Sequence, residues 1–357
     1  MRIEQLTFTR FLAAVSVVVF HYGGKSLPFK NDSIAFIFRN SDVCVSYFFI
    51  LSGFVMIIAY GNKTIISAGD YLRNRMARIY PVYFLAILMM LLLQFREKNI
   101  DYSGLFLNIF MIQAWVPGKV LSLNPPGWSL SVELLFYAIF PFAFNTIFKK
   151  VTLRQIAVYI ILFWVLTQVI FQLFFFLYDE NQFPTIKDIL KYNPLMHLNE
   201  FLVGNLAGLF FIKSLKEKKG NYDFIILILA ALLILALKFP FGLNFHDGLL
   251  SVLFIPLIFF ISLNDGMITQ LFRNRIFVFL GEISFGIYIL QHPVYSLISA
   301  YSVNKYLHLN DPTIVFFIRL LILIVFSAVV YICMEKPILE KVKGKKKPLT
   351  LSENPVG

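Results

Sequence analysis

The chain has 357 residues, 59% of them hydrophobic and only 15% charged, with 41 phenylalanines and a formal net charge of +12. That balance excludes a soluble globular domain and describes a polytopic membrane protein. It calls for no nucleic-acid partner, because membrane topology accounts for the positive charge.

Apolar stretches lie approximately at residues 6–22, 43–61, 79–95, 129–148, 155–178, 195–212, 223–239, 248–264, 277–300 and 313–334. They predict an all-α bundle of about ten transmembrane helices. The first follows an early arginine with no small-residue cleavage site after it, so it reads as an uncleaved span. Residues 104–115 are apolar but too short to cross comfortably. With Pro125-Pro126-Gly127 soon after, they read as an interfacial or re-entrant helix. Cys44 and Cys333 fall near opposite membrane faces and are not expected to pair. We expect one membrane domain over residues 1–335 and a basic cytoplasmic tail over 336–357, held against anionic membrane lipid.

Lysine and arginine placement orients the bundle. With the N-terminus cytoplasmic, 20 of the 32 fall in inside segments and 10 in outside segments, while Arg10 and Arg319 lie within spans. This two-to-one bias predicts both termini inside and an even number of spans.

The first span carries the most informative pair. Arg10 and His21 share an otherwise apolar helix, and eleven steps of about 100° return His21 to within about 20° of Arg10's face. The two are separated by about 16 Å along the axis, roughly half a bilayer core. A cation near one surface and a titratable base beyond mid-depth suggest a site working across the membrane. Arg10 as an interfacial anchor and His21 as a helix cap is the plain alternative.

Sorted by depth, the remaining polar residues form two groups. Outside lie His21, Glu133, Glu200, His292 and Arg319; inside lie Arg10, Arg73, Arg75, Arg78 and Glu335. Acyl transfer suits the division. A hydroxyl acceptor needs a base of near-neutral pKa, which His21 supplies, and a carboxylate to fix its tautomer, for which Glu133 is the candidate, with Glu200 behind it. A phosphorylated donor needs fixed cations, and Arg75-Met-Ala-Arg78 puts two guanidiniums on one helical face, with Arg10 and Arg73 nearby. Trp128, Glu200, Tyr288, His292 and Arg319 are candidates for the acceptor side. Plainer roles are open as well: Trp128 as an aromatic-belt anchor with Ser129 as a helix N-cap, Glu200 and His292 bonded to neighbouring helices, Arg319 paired with a carboxylate. No metal is expected.

The chain resembles the acyltransferase-3 family of integral-membrane O-acyltransferases along nearly its full length. The matching pieces are Arg10-x10-His21, Tyr47-Phe-Phe-Ile-Leu-Ser-Gly53-Phe54, Arg73-Asn-Arg75-Met-Ala-Arg78-Ile-Tyr-Pro81 and Trp128-Ser-Leu-Ser-Val-Glu133-Leu-Leu-Phe-Tyr137. Gly281-Glu-Ile-Ser284-Phe-Gly-Ile-Tyr288-Ile-Leu-Gln-His292-Pro293 and Glu335-Lys-Pro337 complete them; their order and spacing are the signal. The resemblance implies a ten-span enzyme of the bacterial inner membrane. It would take an acyl group, usually acetyl, from cytosolic acyl-CoA. The acceptor would be a hydroxyl of a cell-envelope glycan or lipid-linked sugar such as O-antigen, capsule or exopolysaccharide. It further implies that His21 is essential and that Arg10, Arg75 and Arg78 serve the CoA side. Many relatives carry a hydrolase-like domain fused after an extra span; the sequence shows none after residue 335, so a stand-alone transferase is expected here. Direct attack on the thioester and an acyl-imidazole route are both open to His21. A transporter or flippase of a lipid-linked sugar is the alternative class, although no paired Gly/Pro breaks relate the two halves.

Overall fold

The computed structural model describes residues 3–344, which are helical and contain no β-strand. The chain begins with α1 (Gln5–Tyr22), the short α2 (Asp32–Arg39), α3 (Val43–Tyr60) and α4 (Ala68–Arg96). Next come α5 (Tyr102–Ile109), two 3-10 turns at Gln113–Trp115 and Pro125–Gly127, and α6 (Trp128–Phe142). The second half holds α7 (Leu153–Leu177), α8 (Pro184–Tyr192), α9 (Leu198–Phe210), α10 (Asp223–Lys238) and α11 (Ser251–Leu263). It closes with α12 (Met267–Phe272), α13 (Arg275–Glu282), α14 (Ser284–Leu297), α15 (Ala300–Leu307), α16 (Pro312–Val330) and α17 (Lys336–Gly344).

Local chemistry starts these helices where polar residues meet apolar runs. Ser67 accepts from the Asp70 amide at the head of α4, and Thr152 with Gln155 forms a reciprocal capping box on α7. Asp311 accepts from the amides of Thr313 and Ile314 ahead of α16.

Seven helical segments among the described residues are long and apolar enough to cross a membrane. The α13–α14 pair, bent by 51°, adds an eighth if it is one span. The other two predicted stretches are also helical but shorter, α10 with 16 residues and α11 with 13. The chain is therefore a multi-pass membrane protein, with Tyr159, Leu162 and Phe176 of α7 and Phe224 of α10 exposed as a lipid-facing surface requires.

Residues 104–115 do not make a span; α5 has eight residues and stops in a turn. Around it Met111, Gln113, Ala114, Asn124 and Gly127 are buried while Trp115, Val116 and Leu121 are exposed, and side chains answer the buried polar backbone. Asn108 Nδ2 donates to the carbonyls of Gly104 and Ser122, and Gln113 Nε2 to that of Gly127. Pro293 cannot donate to the Ile289 carbonyl one turn back, and Asn124 Nδ2 takes that oxygen at 3.1 Å. The excursion is thereby tied to α14.

A close backbone contact joins α3 and α9. A Cβ added at Gly53 would fall on the Phe201 carbonyl oxygen, and one at Gly204 on that of Ile50, so the backbones touch through both glycines. Cys44 and Cys333 are both free. The segment expected as a basic tail begins with α17, packed on α4, and residues 345–357 of that tail lie outside the described residues.

Candidate active site

Arg10, Arg75 and Arg78 converge on one cavity of about 460 Å³ between α1, α3, α4, α6 and α14. The volume lies within the ordinary range for a small-molecule site. Arg75 sits among three tyrosine rings, with its guanidinium carbon 5.8 Å from the Tyr60 centroid, 5.4 Å from Tyr71 and 5.7 Å from Tyr137. A planar, weakly hydrated guanidinium tolerates such a cage better than an ammonium would. Glu133, Glu282 and Glu335 also line the cavity beside the three arginines. Val45, Phe48, Leu51, Val55 and Ile58 of α3 give it an apolar wall. The combination suits a molecule with an anionic part and an apolar part.

Two residues depart from their expected places: Arg73 from the arginine group and Glu133 from His21. Arg73 is exposed, paired with Asp70 at 2.8 Å, and takes no part in the cavity. Arg73 and Arg75 are two residues apart, which turns them about 200° around the helix, whereas Arg75 and Arg78 lie within about 60°. Glu133 belongs to the cavity rather than to His21: its Oε2 accepts from Tyr137 Oη at 2.8 Å.

His21 has a different partner. Its Nδ1 lies 2.9 Å from Oε1 of the buried Gln291, whose Nε2 donates to the Tyr288 carbonyl at 2.7 Å. That second bond fixes which end of the amide faces the histidine. The amide oxygen can only accept, so Nδ1 carries the proton and Nε2 keeps its lone pair. His21 is exposed at its helix end, where an acceptor could reach it.

His292 and Arg319 gather beside it. Tyr22 Oη lies 3.2 Å from His292 Nδ1, and the Arg319 guanidinium stacks on Tyr295 at 4.0 Å while donating to the Tyr295 carbonyl. Arg319 is thus held by an aromatic face and a backbone carbonyl. Tyr288 bridges the two levels, since its ring lines the cavity while its carbonyl holds Gln291.

Glu200 and Trp128 belong to a third grouping. Glu200 is fully buried, 2.7 Å from His197 Nδ1, and does not approach His21's partner amide. Trp128 packs against the His197 and His246 rings at 5.1 and 5.9 Å, and against Phe49, which lines the cavity. The five outer groups expected at one level therefore divide: His292 and Arg319 both contact Tyr22, the residue after His21, while Glu133 faces the arginines and Glu200 sits behind Trp128.

The acyltransferase-3 family, described as an acyltransferase domain, matches residues 3–333. The chain belongs to this family. It is 28% identical to the acyltransferase MdmB of Streptomyces mycarofaciens over 43% of this chain and 42% of that protein. A protein of Staphylococcus aureus (strain COL) named as an O-acetyltransferase is 22% identical over 92% of this chain and 56% of its own length. The exopolysaccharide production protein ExoZ of Rhizobium meliloti (strain 1021) is 30% identical over 27% of this chain and 32% of that protein. The chain spans about half the length of the curated relatives it matches. No solved structure matches it.

Within this acyltransferase-3 chain, Gln291 is the site neighbour that residue type alone does not mark, and His197, ahead of α9 and three residues before Glu200, is one that the sorting by depth passes over. Gln291 is uncharged and 270 positions from His21, so only the folded chain brings the two together. Pro293, two residues on, is the available signal, since a proline in a span marks a place where side chains must answer freed backbone.

Proposed function

We propose that this chain transfers an acyl group from acyl-CoA to a hydroxyl of a cell-envelope glycan or lipid-linked sugar, with acetyl-CoA as the usual donor. The carrying observation is that one helix, α1, contributes Arg10 to the arginine cavity and His21 to the Gln291 pair. Arg10, Arg75 and Arg78 hold the donor phosphates, and the α3 wall takes its apolar part. His21 Nε2 removes the acceptor hydroxyl proton as the oxygen attacks the thioester carbonyl, and the thiolate leaves. Tyr288, His292 and Arg319 line the acceptor approach. Trp128 and Glu200 support it from behind.

The same reading makes α10 and α11 spans alongside the other eight, with both termini cytoplasmic and the protein in the bacterial inner membrane. The names of the relatives support O-acetylation and an exopolysaccharide-type acceptor. The test is free-thiol release from acetyl-CoA by the purified chain with and without surface glycan, together with analysis of O-acetyl content in a deletion strain. We expect glycan-dependent thiol release and a loss of O-acetyl groups. Thiol release indifferent to every hydroxyl acceptor would remove the glycan assignment.

A further inference from the structure

His197, Glu200, Asp247 and Asn199 form a buried cluster of acceptor atoms that neither bonds to His21 nor lines the arginine cavity. All four residues are at most 1% exposed. His197 precedes α9 and Glu200 stands in its first turn, a spacing of three that puts both on one face. Asp247 comes from the turn before α11, where Gly248 at φ +84° carries the chain beneath Glu200. The ligand atoms of His197, Glu200 and Asp247 lie within 4.8 Å of one another.

The hydrogen bonds around the cluster leave it short of positive charge. His197 Nε2 donates to the Lys191 carbonyl at 2.8 Å, which turns the Nδ1 position toward Glu200 Oε2 at 2.7 Å and Asp247 Oδ1 at 3.8 Å. Glu200 Oε1, Asp247 Oδ2 and Asn199 Oδ1 are buried with no hydrogen-bond partner. A Cβ built on Gly248 would stand 3.1 Å from Glu200 Oε1 and 3.2 Å from Asn199 Oδ1, so both oxygens lie close against the Gly248 backbone. Asn199 Nδ2 offers Asp247 Oδ1 only a long contact of 3.4 Å. Two carboxylates and an amide oxygen facing an imidazole lone pair, away from water, call for a cation.

We propose that His197, Glu200 and Asp247, with Asn199 beside them, bind one divalent first-row transition-metal ion. A ring N–H committed to a backbone carbonyl is the usual way a metal-binding histidine is oriented. One nitrogen with several carboxylate and amide oxygens suits Mn²⁺ or Zn²⁺ better than Ca²⁺. At metal–ligand distances of about 2.1 Å, the 2.7 Å separation of Nδ1 and Oε2 subtends about 80°, which favours six-coordinate Mn²⁺ over tetrahedral Zn²⁺. The ion would tie the start of α9 to the turn before α11, directly behind Trp128 and Phe49. This departs from the sequence expectation of no metal and is independent of the acyl-transfer reading.

The test uses the full chain, purified in detergent through a tag without histidines and never exposed to chelator. Elemental analysis should find close to one Mn or Zn per chain. EDTA should then lower the melting temperature, and MnCl2 or ZnCl2 should restore it. Asp247→Asn should weaken metal affinity by at least about tenfold, as loss of a ligand charge does, while the exposed control Asp70→Asn keeps the metal. A wild-type chain carrying no metal, with a melting temperature that neither salt raises, would overturn the site and leave the cluster held by protons. Metal retained undiminished in Asp247→Asn would overturn it as well, by placing the ion elsewhere. Should that variant fail to fold, the wild-type chelation result decides alone.

Discussion

Gln291 Oε1 stands 2.9 Å from His21 Nδ1, and the glutamine's other end is tied to the Tyr288 carbonyl. This amide does for His21 what a carboxylate does in many catalytic histidine pairs, setting the tautomer without adding charge beside the ring. Gln291→Leu should lower kcat by about 10- to 100-fold with little change in donor affinity, because base orientation is lost while the arginine cavity is untouched. Gln291→Glu should retain the orientation but favour the imidazolium. The ring then loses its proton only at higher pH, so the acid limb of the pH–rate profile should move upward. An unmoved profile in an active Gln291→Glu enzyme would mean that His21 is not the titrating base.

His21 itself gives the sharper test. His21→Ala and His21→Gln should both abolish transfer, since neither side chain can accept a proton near neutral pH. Acyl-CoA binding, measured by calorimetry, should survive in both, because Arg10 lies about 16 Å away along the helix. Substantial turnover by His21→Gln would make His21 a helix cap and move the search for a base to His292, which contacts Tyr22.

The arginine cavity predicts a contrast within one short segment. Arg75→Ala and Arg78→Ala should each weaken acyl-CoA binding by about 10- to 100-fold, the loss of one charge-assisted phosphate contact of about 1.5–3 kcal/mol. Arg73→Ala, two residues away, should leave affinity within about twofold, because its exposed pair with Asp70 contributes little. Equal losses at all three positions would point to a general electrostatic effect instead of a shaped site.

Much of this arrangement is legible in the amino-acid sequence, and the parts that are not share one cause. Apolar runs mark helices regardless of what surrounds them, so all ten predicted stretches contain helix. The pairing of Arg75 with Arg78 follows from helical periodicity, and depth puts Arg10 at their level. Depth, however, carries no azimuth between different helices. By depth Glu133 belongs at the outer level with His21, yet α6 turns it toward Arg10, Arg75 and Arg78. The same reasoning groups Glu200 with His21, while its bond is to His197 three residues earlier. Gln291 is silent in the sequence because an uncharged amide carries no sign of cost. Its importance appears only when its partner is seen.

The orientation of the bundle is the remaining premise of a two-sided reaction, and thiol labelling tests it directly. In a chain lacking Cys44 and Cys333, single replacements Lys30→Cys, Thr185→Cys, Gly69→Cys and Lys218→Cys would each sit at an exposed position in or beside a connecting segment. The lysine and arginine bias puts residues 30 and 185 outside and residues 69 and 218 inside. An impermeant maleimide added to intact cells should therefore modify the first two, and the last two only after the membrane is opened. The Arg75 side of the cavity would then face cytosolic acyl-CoA, with His21 and His292 toward the acceptor. The reverse pattern would put the arginines on the side where no acyl-CoA is present, and the donor assignment of Arg10, Arg75 and Arg78 would fall with it.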